Sequence, residues 1–212
     1  MMALTMAGTT IAPEVRRKRG RPRSVDAHRR ILDATLAICA IEGFRDLTIE
    51  SVARTAGVGK STIYRHWRSK KELVQEAIAR ESLNLGRNMD SGDLEKDLRT
   101  FIANLVALLS SPTGHAIARL VGEAQANPAV ATLVAATWDV HRRGALVTLL
   151  EAHRSDEQQL RATIDPERVS EAVFGSLFMR RIIMGASLGE ADVNAVSDLV
   201  LHGMLVRSPG GA

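Results

Sequence analysis

Apolar residues recur every three to four positions along most of the chain, which is the spacing of one face of an α-helix. The first such helix is predicted from about Asp26 to Glu42, with Ser24 or Asp26 as its N-cap and Gly43 at its end. Sustained apolar–polar alternation, the mark of a strand, is nearly absent. The pattern therefore predicts an all-α protein of about nine helices.

Three more helices follow closely along the chain. The second is predicted over 48–57, because Thr48 suits an N-cap, and the third over 59–66. An S-x-x-E capping box opens a fourth helix over 69–85. The apolar residues expected to pack the first three helices into a compact head are Ile31, Leu47, Val52, Ile63 and Trp67.

A polar loop at 86–92 separates this head from a longer helical body. Asp165 followed by Pro166 is a strong helix-start signal within that body, because proline suits the first helical position. The body helices are predicted at 93–110, 114–126, 129–153, 166–186 and 190–206.

Charge is divided unevenly between the two parts. Residues 1–72 hold 15 Lys and Arg against 7 Asp and Glu, a balance of +8, whereas the remainder holds 13 against 17, or −4. A basic head on an acidic body indicates a polyanion partner for the head alone.

The stretch 48–67 reads as a helix-turn-helix, two short helices joined by a glycine-containing turn. In such a motif the second helix enters the major groove of DNA, so residues 59–62 are expected near base edges and later ones near phosphates. The side chains of Tyr64, Arg65 and Lys60 have alternatives: half-buried packing, a surface salt bridge and simple solvation, respectively. The residues expected to contact DNA are Thr48, Gly59, Lys60, Ser61, Thr62, Tyr64, Arg65, His66 and Lys70.

An arginine-rich arm, R-R-K-R-G-R-P-R at 16–23, lies just upstream. Gly20 and Pro22 disfavour a helix there, and an extended arm can lie in a minor groove through Arg19, Arg21 and Arg23. The alternative is an unordered tail that raises non-specific affinity.

Several runs resemble the N-terminal domain of the tetracycline-repressor (TetR) family: I-L-D-A at 31–34, G-F at 43–44, T-I-E-S-V-A at 48–53, A-G-V-G-K-S-T-I-Y-R-H-W at 56–67 and S-K-K-E-L at 69–73. The resemblance implies an all-helical homodimeric repressor that releases double-stranded operator DNA when a small-molecule effector binds its C-terminal domain. The expected organisation is a flexible arm at 1–23, a helix-turn-helix domain at 24–72, an effector-binding and dimerisation domain at 73–207 and a tail at 208–212.

Apolar stripes of the body suggest where such an effector and a second subunit bind. Mostly apolar walls are typical of ligand pockets, although such stripes are also typical of a core. The predicted pocket residues are Phe101, Leu105, Leu108, Trp138, His141, Phe174 and Phe178, with polarity from His115, Arg119 or Glu123. The apolar arcs of the last two helices predict an intersubunit four-helix bundle, and the alternative is a larger single-chain core. The predicted interface residues are Val169, Val173, Leu177, Val193, Val196 and Val200.

Other classes of function find little support. The sequence has no Gly-rich phosphate loop, nucleophile elbow or Cys/His metal spacing, so we expect neither an enzyme nor a metal or cofactor site. No run approaches 18 apolar residues, and the lone Cys39 sits among core positions, which favours a protein of a reducing cytoplasm without a membrane partner. The TetR resemblance implies a bacterial, nucleoid-associated protein. An activator of the same family and an architectural DNA-binding protein without an effector remain alternatives.

Overall fold

Helices form all the regular secondary structure of the computed structural model, which describes residues 23–142, 144–153 and 164–204. The α-helices within these ranges are α1 (Arg23–Asp46), α2 (Ile49–Ala56), α3 (Lys60–Tyr64), α4 (Lys70–Ser82), α5 (Leu94–Ser110), α6 (Pro112–Ala124), α7 (Pro128–Arg142), α8 (Ala145–Ala152), α9 (Pro166–Phe178) and α10 (Glu190–Met204). A 3₁₀ turn, Leu83–Gly86, follows α4, and a π-helical turn, Met179–Ile183, follows α9. The predicted all-α class is confirmed.

The first three helices pack into the predicted head. Thr48 caps α2: its hydroxyl accepts the N–H of Ser51 at 3.1 Å, and its own N–H donates to the Ser51 hydroxyl at 3.3 Å. Gly57 ends α2 at φ 63° and ψ 43°, a left-handed conformation that glycine adopts without steric penalty. All five predicted core residues are at most 2% exposed: Ile31, Leu47, Val52, Ile63 and Trp67.

Gly43, where the sequence predicts the end of the first helix, lies within the range of α1 but leaves the helical conformation. The turn toward α2 starts at this residue. Its φ of 85° and ψ of −179° interrupt the helical geometry of α1. A Cβ at this position would also lie 2.0 Å from a carboxylate oxygen of Glu123 on α6. Both the backbone conformation and the close approach of α6 therefore favour glycine here.

The predicted helix over 129–153 is wrong, because the structure divides it into α7 and α8. Gly144 lies at the break with φ −86° and ψ −143°, outside the helical region. Glycine in a helix interior costs about 1 kcal/mol relative to alanine, so it is a favourable place for the chain to change direction. This division raises the count from the predicted nine helices to ten in the described ranges.

Two hydrophobic clusters hold the molecule together. The first joins the head and α4 to the body helices α6 and α7, through Ala116, Ile117, Leu120, Val130 and Leu133. The second joins α5, α8, α9 and α10. The core of the head is thus continuous with part of the body.

Cys39 belongs to the first cluster and is 0% exposed, as expected of a core residue. Burial raises the pKa of its thiol to about 12, with the Glu123 carboxylate acting in the same direction. A protonated thiol is a poor nucleophile, so Cys39 contributes packing at neutral pH.

In the part of the chain that the structure describes, no single helix is long and apolar enough to cross a membrane. Only α5 and α6 taken together pass by length and composition, and they are bent by 70° relative to each other. The same residues contain no group of three or more His, Cys, Asp and Glu side chains that could hold a metal ion.

Candidate nucleic-acid interface and effector cavity

Helix α3 buries one side and presents polar side chains on the other. Ile63 is 0% exposed, whereas Lys60 and Ser61 are exposed and Thr62 is half-buried. Tyr64 is 56% exposed, so more than half of this residue faces solvent. A recognition helix needs this combination of an anchored back and a solvent-facing polar front.

The Lys60 ammonium forms an exposed ion pair with Glu50 of α2, at 2.8 Å from Nζ to Oε1. The hydrogen bond from Lys60 lowers the pKa of Glu50, and the same bond raises the pKa of Lys60. Because both side chains are solvated, the pair contributes little to folding stability. A DNA phosphate or guanine would compete with Glu50 for the ammonium.

Two predicted contacts at helix starts already have partners within the protein. Thr48 uses its hydroxyl and its N–H in the cap of α2, so a phosphate contact there competes with the capping box. Lys70 donates to the carbonyl oxygens of Phe44, Arg45 and Leu47 at 2.9, 3.0 and 3.1 Å and lies 4.7 Å from the Phe44 ring centroid. An ammonium has three N–H donors, so Lys70 holds the α1–α2 turn instead of being free for a phosphate as predicted.

His66 is exposed at the end of the head, next to an aromatic group that the sequence does not reveal. His28 of α1 stacks on Trp67 at 4.8 Å and meets His66 edge-on at 5.6 Å. Glu76 of α4 accepts the indole N–H of Trp67 and contacts His28 Nε2, each at 2.7 Å. His28 and Glu76 lie 48 residues apart, and no local pattern links them.

The predicted arm residues Arg19 and Arg21 lie outside the described residues. Arg23 begins α1, and its side chain also lies outside the described part. Their minor-groove contacts therefore stay a prediction.

A cavity of about 350 Å³ lies between α4, α6, α7, α9 and the π-helical turn. This volume is within the 300–1,000 Å³ typical of small-molecule sites. The residues that line it are Ile78, Ile117, Leu120, Val121, Val134, Thr137, Trp138, Gly175, Phe178, Met179, Ile182 and Ile183.

Of the predicted pocket residues, Trp138 and Phe178 line this cavity. Leu105 and Leu108 instead belong to the second hydrophobic cluster, and Phe101 and Phe174 are 1% exposed there. Phe174 backs the cavity by meeting Trp138 edge-to-face at 5.8 Å. The apolar stripe of α5 (Phe101, Leu105 and Leu108) packs with residues of α8 and α10 and does not line the cavity. The side chain of His141 lies outside the described part.

The three polar residues considered for the pocket have other partners. Glu123 accepts the N–H groups of Phe44 and Arg45 at 2.9 and 3.0 Å, and Arg119 donates to the Ile41 carbonyl. His115 contacts a guanidinium nitrogen of Arg181 at 2.7 Å. Glu123 and Arg119 thus attach α6 to the end of α1, whose carbonyl oxygens at Phe44 and Arg45 also accept from Lys70.

Four predicted dimer residues are buried within one subunit: Val173, Leu177, Val196 and Val200 are each at most 8% exposed. Val169 and Val193 are half-buried against the same cluster. Val173 and Leu177 therefore pack the core of their own subunit, whereas Val169, Val196 and Val200 also line a shallow groove between α9 and α10. The outer faces of α9 and α10 carry Ala172, Gly203 and Leu199, the last 72% exposed.

An anchored recognition helix on a basic head, joined to a helical body with an apolar cavity, defines a helix-turn-helix DNA-binding regulator of transcription. Residues 31–77 match the family described as "Bacterial regulatory proteins, tetR family". Residues 88–200 match "Tetracyclin repressor-like, C-terminal domain". The chain belongs to the TetR family, as its resemblance implies.

Known proteins agree with this assignment. The chain is 30% identical over 185 residues to the uncharacterized HTH-type transcriptional regulator YdeS of Bacillus subtilis, covering 87% of this chain and 91% of that one. The crystal structure of the TetR family transcription regulator SCO0332 superposes with a TM-score of 0.67 at 26% identity, over 84% of this chain and 98% of that one. FadR from Bacillus subtilis in complex with stearoyl-CoA shares the fold at a TM-score of 0.63 and 19% identity, over 83% and 98% of the two chains.

Proposed function

We propose that this regulator is a repressor, which binds a palindromic operator as a homodimer and releases it when a small molecule fills the cavity. One observation carries the proposal: α4 contributes Ile78 to the cavity wall and Lys70 to the α1–α2 turn. A ligand that displaces Ile78 therefore acts on the helix that holds the head. The protein works by binding, without catalysis, in the bacterial cytoplasm at the nucleoid.

The solvent-facing front of α3 supports the assignment of DNA contacts. Residues 59–62 take base edges, with Gly59 allowing a close approach of the backbone. The DNA phosphates are contacted by Tyr64, Arg65 and His66. The arm extends the contact into the minor groove through Arg19, Arg21 and Arg23.

The outer faces of α9 and α10 are the proposed subunit interface. The lining of a shallow groove between these helices includes the small residues Ala172 and Gly203, the exposed Leu199, and the predicted interface residues Val169, Val196 and Val200, a mostly apolar set that suits close helix packing. A dimer places two heads on half-sites about 34–36 Å apart, or multiples of that distance.

Selection of operator sequences from random DNA with the full chain tests the proposal. An inverted repeat is expected, together with a dimeric mass by light scattering. Small molecules that raise the melting temperature are then expected to displace the selected DNA. A single unrepeated site bound by a monomer would contradict the dimeric repressor.

Removing residues 1–23 is expected to weaken operator binding and to flatten its dependence on salt. Each lost phosphate contact lowers the slope of log K against log salt by about 0.9. Binding titrations at several salt concentrations measure this slope. Removal of residues 1–15, which spares the six basic positions of the arm, is the control, and an unchanged slope in the longer deletion rejects the contact.

Substitutions at the Lys60–Glu50 pair are expected to change DNA affinity in opposite directions. Lys60→Ala removes a cation from the recognition surface and lowers the salt slope by about one unit if its contact is a phosphate. Glu50→Gln releases Lys60 and removes a negative charge near the phosphates, so affinity is expected to rise several-fold. Fluorescence anisotropy with operator DNA checks both, and equal affinities in all three proteins would exclude Lys60 from the interface.

A further inference from the structure

Among the residues that the structure describes, those that line the cavity carry no charge. Among its lining residues only Thr137 and Trp138 have a side-chain oxygen or nitrogen, and the Thr137 hydroxyl donates to the Leu133 carbonyl of its own helix at 2.9 Å. We infer that the effector is an uncharged, predominantly apolar molecule, and that ionic ligands are rejected. The inference rests on the proposed function and names the ligand class of the same site.

Desolvation decides this preference. Moving an ion from water into an apolar site costs several kcal/mol unless a counter-charge and hydrogen bonds replace its hydration. The lining offers neither. An apolar ligand gains about 25 cal/mol for each Å² that it removes from water, so the same walls favour it.

Two cationic residues of the π-helical turn, Arg180 and Arg181, follow the cavity-lining Met179 in the chain and have partners elsewhere. Arg180 forms an ion pair with Asp192 of α10 at 2.6 Å. Arg181 donates to the Leu109 carbonyl at 3.2 Å and contacts His115 at 2.7 Å. Neither arginine lines the cavity, so an anionic ligand inside it gains no direct counter-charge from them.

The π-helical turn makes the rim of the cavity apolar as well. Met179 and Ile183 are 54% and 67% exposed there, while Gly175 leaves open space where a side chain would stand. Methionine adapts to ligands of different shape, and π-helical turns occur frequently at functional sites. An apolar molecule therefore meets a matching surface at the entrance.

The volume of the cavity, about 350 Å³, lies within the range of small-molecule sites.

Two fluorescent probes that share one aromatic skeleton test the inference on the full-length protein. N-phenyl-1-naphthylamine is neutral, whereas 8-anilinonaphthalene-1-sulfonate carries the same rings with one sulfonate. We expect the neutral probe to bind at least tenfold more tightly than the sulfonate. The bound probe is expected to accept excitation energy from Trp138, and stearoyl-CoA is expected not to displace it. Equal or tighter binding of the sulfonate, or displacement by stearoyl-CoA, would overturn the inference.

Substitutions at Gly175 test whether the probe binds in the cavity. Gly175→Leu fills the space and is expected to abolish binding, and Gly175→Ala to weaken it. Gly122→Leu, at an exposed α6 position with equally open surroundings, is the matched control and is expected to bind normally. Circular dichroism and light scattering establish that each variant keeps its fold and oligomeric state, and binding that survives in a folded Gly175→Leu protein also overturns the inference.

Failure of the ligand class is distinguishable from failure of the proposed function. If the charged molecules bind as tightly and displace operator DNA, the ligand class is wrong and the repressor mechanism stands. If the neutral probe is preferred and blocked by Gly175→Leu, yet no ligand of the cavity releases DNA, the ligand class stands and the release mechanism is wrong.

Discussion

A single substitution, Leu199→Glu, is expected to yield a folded monomer that binds its operator about 10²–10⁴-fold more weakly. Leu199 is 72% exposed on the outer face of α10, so glutamate costs the isolated subunit little. In the proposed dimer the same carboxylate is buried close to that of its symmetry mate, and the repulsion and loss of hydration disfavour association. Losing the dimer separates two heads whose joint binding gains about 10²–10⁴ from effective concentration.

Light scattering and operator titration of the same preparation measure the two effects together. Asn194→Glu adds the same charge at an exposed position on the opposite flank of α10 and is the matched control. A Leu199→Glu protein that stays dimeric would move the interface away from α9 and α10. A monomer with full operator affinity would instead show that one head suffices.

Replacing Glu123 with leucine is expected to lower the free energy of unfolding by about 1–3 kcal/mol. The substitution removes both acceptors of the Phe44 and Arg45 N–H groups. The first bond is partly buried, so its donor loses a partner that water replaces poorly, while the more exposed Arg45 N–H is readily hydrated. The loss therefore corresponds to about one buried unsatisfied donor.

Urea unfolding of the full chain measures this effect, and the melting temperature is expected to fall by about 2–4 °C per kcal/mol. Glu123→Gln keeps one side-chain carbonyl oxygen as an acceptor. Its free energy of unfolding is therefore expected to lie between those of the wild type and Glu123→Leu. Gln125→Leu, at an exposed site just beyond α6, is expected to leave stability within 0.5 kcal/mol, as is usual for surface positions. Unchanged stability in Glu123→Leu would show that water satisfies the turn equally well.

The head is predictable from sequence because its signals are local. Thr48 and Gly57 fix where α2 begins and ends, and Ser69 caps the start of α4, as the structure shows. The predicted capping box at 69–72 is only half formed, because the Glu72 carboxylate accepts the N–H of Arg68 instead of that of Ser69. The burial of Ile63 and Trp67 follows from the same pattern. Short-range spacing carries enough information here because each helix is defined within one or two turns.

The cavity is less predictable because it depends on how distant helices face one another. An apolar stripe shows that a helix is buried on one side, but it does not show which neighbour covers that side. Phe101 and Leu105 therefore looked equivalent to Trp138 in the sequence, yet only Trp138 reaches the cavity. The valines of α9 and α10 illustrate the same ambiguity, since a wide apolar arc serves a subunit core and an interface alike.

Lys70 shows a related limit. A lysine in the first turn of a helix that follows a recognition helix is a reasonable phosphate ligand on sequence grounds. The structure gives its ammonium three carbonyl oxygens from a turn 23–26 residues earlier. Contacts at that separation leave no periodic trace in the chain.

The continuous core between the head and α6–α7 has a consequence for building hybrid regulators. A crossover placed between Lys70 and Leu94 would transplant a head whose packing partners Ala116, Ile117 and Leu120 stay behind in the recipient. The grafted head would then pack against helices that do not match it, and its α1–α2 turn would lack the Glu123 carboxylate. A functional chimera of this protein should carry α6 and α7 together with its head, so that the unit of exchange is defined by shared packing and not by chain order.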